Sequence, residues 1–231
     1  MEDTDRRTVI LLKKKIKVLI AASAMAVICM AQTVCAADWV DRLDAAQTAG
    51  QIITVVANGS SATLSMHNKD ASGHFIQVVT GDASIGRNGL GKTMEGDGRT
   101  PRGRFGLMFG FGNRPDPGSA LQYVQIDRNC YWVDDSASAY YNRFVSTLNV
   151  QKDWRSAENL LGAGQSYNYA LALDYNAACV PGAGSAIFIH CRPTGGAGCV
   201  AVNEDVMLQI MKNVQPGCVV LIDDAAGILN Y

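Results

Sequence analysis

Residues 185–204 read Ser-Ala-Ile-Phe-Ile-His-Cys-Arg-Pro-Thr-Gly-Gly-Ala-Gly-Cys-Val-Ala-Val-Asn-Glu, and no other stretch restricts the chain's folding as tightly. An apolar run at 186–189 has the length and composition of a buried strand and ends at His190. A loop with Gly195, Gly196 and Gly198 follows and is long enough to reverse direction before Cys199. Val200 and Val202 come next, and then Asn203, a good helix N-cap. This order predicts a strand, a tight loop, a second extended piece and a helix, with an imidazole and a thiol close together at the strand end.

The residue types suggest a chemistry. A thiol with an ordinary pKa of about 8.5 is mostly protonated at neutral pH. A nearby imidazole can take that proton or hold the thiolate as an ion pair. Gly198 lets backbone N–H groups converge beside the sulfur without a Cβ in the way, which suits an oxyanion hole. The helix expected after Cys199 would bring its positive end near the thiol and lower the thiol's pKa. The plainer reading is a strand-end histidine and a buried cysteine with structural roles only.

The segment resembles the active-site motif of the YkuD-type L,D-transpeptidases, where a strand-end histidine precedes Ser/Thr-His-Gly-Cys. His190 matches the upstream histidine, and Gly198-Cys199 match the Gly-Cys that carries the nucleophile. Ala197 stands where the family has a second histidine, and Ala201 where it has a basic residue. The spacing from His190 to Cys199 is shorter than usual. A divergent branch of the family shares Ala-Gly-Cys and also carries Glu-Gly-Asp-Gly-Arg-Thr-Pro-x-Gly-x-Phe, present here from Glu95 to Phe105. The resemblance spans about residues 75–205. It implies Cys199 as nucleophile and His190 as base, with Gly198 and the Cys191 backbone in support. It also implies a groove touched by Tyr141, Asn142 and Arg99.

The N-terminus reads as a targeting segment. Arg6, Arg7, Lys13, Lys14, Lys15 and Lys17 form a basic region ahead of an uncharged, mostly apolar run from Val18. Val34-Cys35-Ala36 supplies small residues for cleavage, giving a signal peptide over 1–36 and a catalytic domain over 37–231. An uncleaved anchor is the alternative, because residues 18–37 are uncharged and just long enough to span a bilayer. Either reading places the domain outside the cytoplasm: periplasm, cell wall or secreted. The formal net charge of −1 gives no reason to expect nucleic acid as a partner.

Beyond residue 36 there are five cysteines: Cys130, Cys179, Cys191, Cys199 and Cys218. An odd number in an exported domain suggests disulfides plus one free thiol. Cys191 with Cys218 and Cys130 with Cys179 is one pairing; four reduced, buried residues is the other possibility.

Along the rest of the chain, periodicity predicts a short helix over 38–49 and a hairpin with arms at 51–57 and 63–68 around Asn58-Gly59. Further strands are expected at 74–80, from 105, and at 121–127, 131–133, 167–175 and 218–222, with a helical turn at 153–161. His67 and His74 read as surface or structural residues. Gly86 to Thr93 formally satisfies G-x-x-x-x-G-K-[ST], but the Gly- and Pro-containing stretch after it cannot continue a helix. The segment therefore reads as a long turn region with no nucleotide; the family resemblance implies that its Lys92, Glu95, Arg99 and Arg102 touch a peptide carboxylate or shape the groove, and the plainer reading is a solvated charged loop. Asn203 opens the clearest helix, with Val206, Ile210 and Val214 at helical spacing, and Met207 and Met211 as core filler.

The expected fold is mainly β with α: a mixed β-sandwich of the L,D-transpeptidase type with one clear helix after the nucleophile. The expected function is cysteine-dependent acyl transfer on peptidoglycan stem peptides, with no cofactor and no metal. An L,D-carboxypeptidase and a non-catalytic wall-binding module are the alternatives. A metal site from His190, Cys191 and Cys199 is disfavoured, because neighbouring strand residues face opposite ways.

Overall fold

A computed structural model describes residues 39–191 and 196–231. The targeting segment at 1–36 and Gly195 of the active-site loop lie outside the described residues.

Twelve strands and one α-helix make up the described chain, together with four short 3₁₀ turns. β1 (Gln51–Asn58), β2 (Ser61–Lys69) and β3 (Phe75–Ser84) form an antiparallel meander. β4 (Gly103–Gly112) is long, and its two ends have different partners. Its first half pairs with β12 (Val219–Asp224), and its second half with β9 (Ala170–Leu173) and β5 (Tyr123–Gln125). Because β12 also pairs with β1, the order β12-β1-β2-β3-β11-β10-β9-β4 returns to β12. The expected sandwich is thus a closed, barrel-like sheet, with β5 added on β4. A second sheet holds β6 (Cys130–Val133) between β7 (Phe144–Ser146) and β8 (Ala157–Asn159).

The strand alternation sorts side chains between cores. Ile53 and Val55 of β1 face one cluster, while Ile52 faces a second built with Val40, Leu43, Phe75 and Ile228. That two-sided burial explains the nearly continuous apolar sequence of β1. α1 (Glu204–Asn213) packs Val206, Met207, Ile210 and Met211 into the first cluster. Each such burial stabilises by roughly 1.5–3 kcal/mol. Acids in its first turn and Lys212 in its last agree with the helix dipole. Gly81 makes room for Val206, since a Cβ there would lie 2.7 Å from a Val206 methyl.

Several expectations are corrected. The helix expected over 38–49 is two 3₁₀ turns, Val40–Arg42 and Asp44–Gln47. The turn expected at 153–161 contains strand β8, followed by a 3₁₀ segment, Leu161–Tyr167. All five cysteines are free thiols, which removes both proposed disulfides. His67 is buried at 1 % exposure and stacks edge-on against Trp39, so it is no surface residue. His74 is exposed and hydrogen-bonded to Asp41 at 2.9 Å. Among the described residues no helix is long and apolar enough to cross a membrane.

Candidate active site

β10 (Phe188–His190) and β11 (Val200–Val202) run parallel, with Ile189 opposite Val200 and His190 opposite Ala201. One step back in that register, Cys199 falls opposite Phe188. Paired residues share a face, and the face repeats every second residue. Phe188, His190, Cys199 and Ala201 therefore project to one side of the sheet. Ile189, Cys191 and Val200 project to the other, into the core beneath α1. The sequence's nine-residue separation thus becomes a cross-strand diagonal on one face.

Both side chains open into a cleft of about 410 Å3, lined also by Lys92, Glu95, Asp134, Glu158, Tyr167 and Ser185. The Tyr167 ring meets the His190 ring edge-on at 5.4 Å. Beneath Cys199 lies an aromatic cluster of Phe111, Trp132, Tyr167 and Phe188. The Cys199 thiol donates to the Ala186 carbonyl at 3.2 Å and accepts from the Phe188 N–H at 3.4 Å.

This environment sets the protonation of the thiol. Burial, with the Glu158 charge acting in the same direction, pushes the Cys199 pKa up to about 12. The Phe188 N–H and the Lys92 charge oppose that shift only partly. The expected lowering by a helix end is overturned for a topological reason. Strand β11 separates Cys199 from α1, so the cysteine is not at the helix terminus. By accessible surface Cys199 is only half-buried, so what the environment sets is the direction of the shift, toward a neutral resting thiol.

The Glu95–Phe105 motif builds the wall behind Gly198. Asp97 is its hub. It accepts from the backbone N–H groups of Thr93, Met94 and Arg99, and pairs with the Lys92 ammonium at 3.1 Å. Burial alone would raise its pKa, but these donors together bring it down to about 2. Thr100 is fully buried. Its hydroxyl accepts from the Gly86 N–H at 2.8 Å and donates to the Gly198 carbonyl at 2.6 Å. Gly198 itself is required by space: a Cβ would sit 2.7 Å from the Arg99 carbonyl oxygen. Residues 86–93 are a loop, and no helix follows them.

The remaining candidates are placed as follows. Cys191 turns its thiol to the opposite face, where it donates to the Tyr169 carbonyl; its N–H donates to the Ser166 carbonyl. Arg99 is exposed, and its guanidinium donates to the Leu90 carbonyl rather than entering the cleft. Arg102 pairs with Asp223 and Asp224, away from Cys199. Tyr141 is 2 % exposed and donates to Glu95 at 2.6 Å; burial, helped by that carboxylate, raises its pKa. Asn142 is buried in a left-handed conformation, φ 54°. Its side chain accepts from the Trp132 indole and the Ala186 N–H and donates to the Tyr175 and Asn176 carbonyls. It borders a second pocket of about 620 Å3, lined by Phe109, Val124 and Phe144, and not the Cys199 cleft.

Sequence reasoning missed Thr100, Glu158, Tyr167 and Ser185. The signal for Thr100 was its place in the quoted motif. Glu158 and Tyr167 precede the quoted stretch and Ser185 opens it, but no local pattern marked them, and the fold brings them to the cleft.

A closed β-domain that presents a thiol and an imidazole on one face of parallel strands, beside a glycine-clamping loop, defines a class of cysteine-bearing β-domains. The chain belongs to the YkuD family: residues 50–222 match the model of the L,D-transpeptidase catalytic domain. Similar solved structures include the helical cell shape determining protein Pgp2 from Campylobacter jejuni, at 16 % identity and a TM-score of 0.40. That alignment covers 75 % of this chain and 47 % of Pgp2. L,D-transpeptidase 1 from Mycobacterium tuberculosis aligns at 16 % identity and a TM-score of 0.36, covering 75 % of this chain and 62 % of that one. The chain thus spans roughly half to three fifths of these proteins' lengths. No curated protein matches it.

Proposed function

We propose that the domain is an extracytoplasmic acyltransferase that forms a thioester on Cys199 with peptidoglycan stem peptides. The observation that supports this reading best is the shared face of Cys199 and His190 in one open cleft. Because the resting thiol is neutral, proton transfer accompanies attack instead of preceding it. The Cys199 S–H bond breaks, the proton passes to the His190 ring, and sulfur bonds to the peptide carbonyl carbon. The carbonyl oxygen takes the negative charge and is held by loop N–H groups at Gly198 and Cys199. The C–N bond to the terminal residue then breaks, and His190 returns the proton to the leaving amine. An amine resolves the thioester as a cross-link; water resolves it as a carboxypeptidase would.

The Thr100 bond to Gly198 supports the oxyanion role, because it fixes the peptide plane between Gly198 and Cys199. A non-catalytic wall-binding module is the second reading, favoured by the burial of the thiol. Incubation with a penem and intact-mass measurement decides between them. The acyltransferase reading expects one adduct, absent from Cys199→Ala. No adduct, or an adduct that survives the substitution, sinks it.

A further inference from the structure

The pocket of about 620 Å3 bordered by Asn142 lies outside the Cys199 cleft and has no part in the steps above. It opens where the two sheets meet. Phe109 of β4 and Val124 of β5 line it from one sheet, Trp132 of β6 and Phe144 of β7 from the other. Its walls are largely aromatic. Phe109 stacks on Trp132 with ring centres 6.2 Å apart and meets Phe144 edge-on at 5.5 Å. Met108 also lines it and is 51 % exposed. Apolar walls are costly to leave against water, and a recess of this volume is of the size that small-molecule sites have.

The polar side chains decide which ligands fit. No Asp or Glu lines the pocket, so a cation, or the amine of an amino acid, finds no counter-charge there. Asn142 spends its amide on four internal bonds, and the Tyr175 hydroxyl donates to the Ala183 carbonyl. That leaves Gln122 and Arg143, too few partners for the many hydroxyls of a sugar. Arg143 is exposed and makes no ion pair among the described residues. A guanidinium offers a planar fork of donors that matches a carboxylate. The pocket thus combines an apolar, aromatic interior with one positive charge and no negative one.

We infer that this pocket binds a small carboxylate with a flat apolar body, the body lying against Phe109, Trp132 and Phe144 and the carboxylate meeting Arg143. The site is separate from the Cys199 cleft and stands whether or not Cys199 forms a thioester. One residue nevertheless joins the two. Asn142 borders the pocket and accepts from the Ala186 N–H, and the Ala186 carbonyl accepts from the Cys199 thiol. Cys179, a partly exposed free thiol, lines the pocket and serves as a reporter inside it.

The test uses the full chain at neutral pH and calorimetry with two probes, 1-naphthaleneacetate and its uncharged amide. The two have the same apolar body and differ in the carboxylate. The acid is expected to bind at least about fivefold more tightly, in keeping with a charge-assisted hydrogen bond. Arg143→Gln is expected to bring that ratio towards one. The ratio compares two ligands on one protein, so partial unfolding of the variant lowers both affinities without mimicking the effect. Location is read by iodoacetamide labelling followed by peptide mapping. Saturating acid should slow the labelling of Cys179 severalfold. Equal affinities for acid and amide, a preference unchanged by Arg143→Gln, or no binding of the acid at millimolar concentration overturns the site. Protection of Cys199 without protection of Cys179 would put the acid in the other cleft and overturn it equally.

Discussion

Thr100 donates its hydroxyl to the carbonyl of Gly198 at 2.6 Å, across 98 residues of sequence. The same oxygen accepts from the Gly86 N–H, so one side chain ties two loops to the residue before the nucleophile. Replacing it with valine keeps the shape but leaves a buried carbonyl and a buried N–H unpaired. Thr100→Val is expected to cost about 2–4 kcal/mol of stability, since each unpaired buried group costs about 1–3 kcal/mol. It should also slow penem adduct formation at Cys199 by more than tenfold. Thr100→Ser, which keeps the hydroxyl, should recover most of both. Denaturant melts and timed intact-mass spectra check this; a Val variant as fast as the parent would show that the Gly198 peptide needs no clamp.

The thiols set an upper pH limit. Burial raises Cys191, Cys199 and Cys218 to about 12 each. An acid whose folded pKa is raised contributes stability that is present below its unfolded pKa and lost as pH rises towards the folded value. The domain is therefore expected to lose stability from about pH 9 upward. Cys218→Ala should soften that slope without abolishing it. Alkylation of Cys199 by iodoacetamide should still accelerate beyond pH 10, where an ordinary cysteine has levelled off. Levelling off by about pH 10 would mean that the thiol is not shielded as described.

Much of this architecture is legible in the sequence, and what is not has a common cause. The β1–β2 hairpin shows in its alternation and in Asn58-Gly59; the helix at 204–213 shows in Val206, Ile210 and the Asn203 cap. These are local patterns. The direction of the Cys199 pKa shift is not legible, because Phe111, Trp132 and Tyr167, which pack against the sulfur, lie in separate segments between residues 111 and 167 and meet only in the fold. The family resemblance implies that Asn142, in the pair Tyr141-Asn142, lines a substrate groove. Its four hydrogen bonds to Trp132, Ala186, Tyr175 and Asn176 could not be read from that pair.

That network gives a further expectation. Asn142 tolerates its left-handed backbone better than most residues, and it holds Ala186, at φ 54°, in the same uncommon region through the Ala186 N–H. Asn142→Ala removes all four bonds and the anchor of the segment whose carbonyl contacts the thiol. A loss of about 3 kcal/mol or more is expected. Asn142→Gly relieves the backbone without restoring the bonds and should recover less than about 1 kcal/mol. Chemical denaturation of the two variants distinguishes them; full rescue by glycine would assign the effect to backbone conformation alone.

His67 sets a limit on the acid side. Burial holds its pKa below 6.5, with a backbone hydrogen bond to Ile52 opposing the shift. A base lowered in this way stays neutral in the folded state while the unfolded chain takes up a proton. Stability is thus fully present above about pH 6.5 and falls as pH drops through the depressed folded value. His67→Gln should flatten that part of the curve, read as unfolding midpoints between pH 4 and 7. An unchanged slope would assign the acid loss to carboxylates such as Asp97 instead.

The ring of strands closes only when β12 enters between β1 and β4, and β12 is the last of the described strands in chain order. During synthesis every earlier strand is made while both of those edges stay open. A ribosome moving at about 5–20 residues per second leaves that gap unfilled for several seconds after β4 has emerged. The two waiting edges are the places where a growing chain could pair with a neighbour instead of with itself. The exposed lifetime of this nascent domain is therefore fixed by the distance in sequence between Gly112 and Val219, and not by how quickly any one strand can fold.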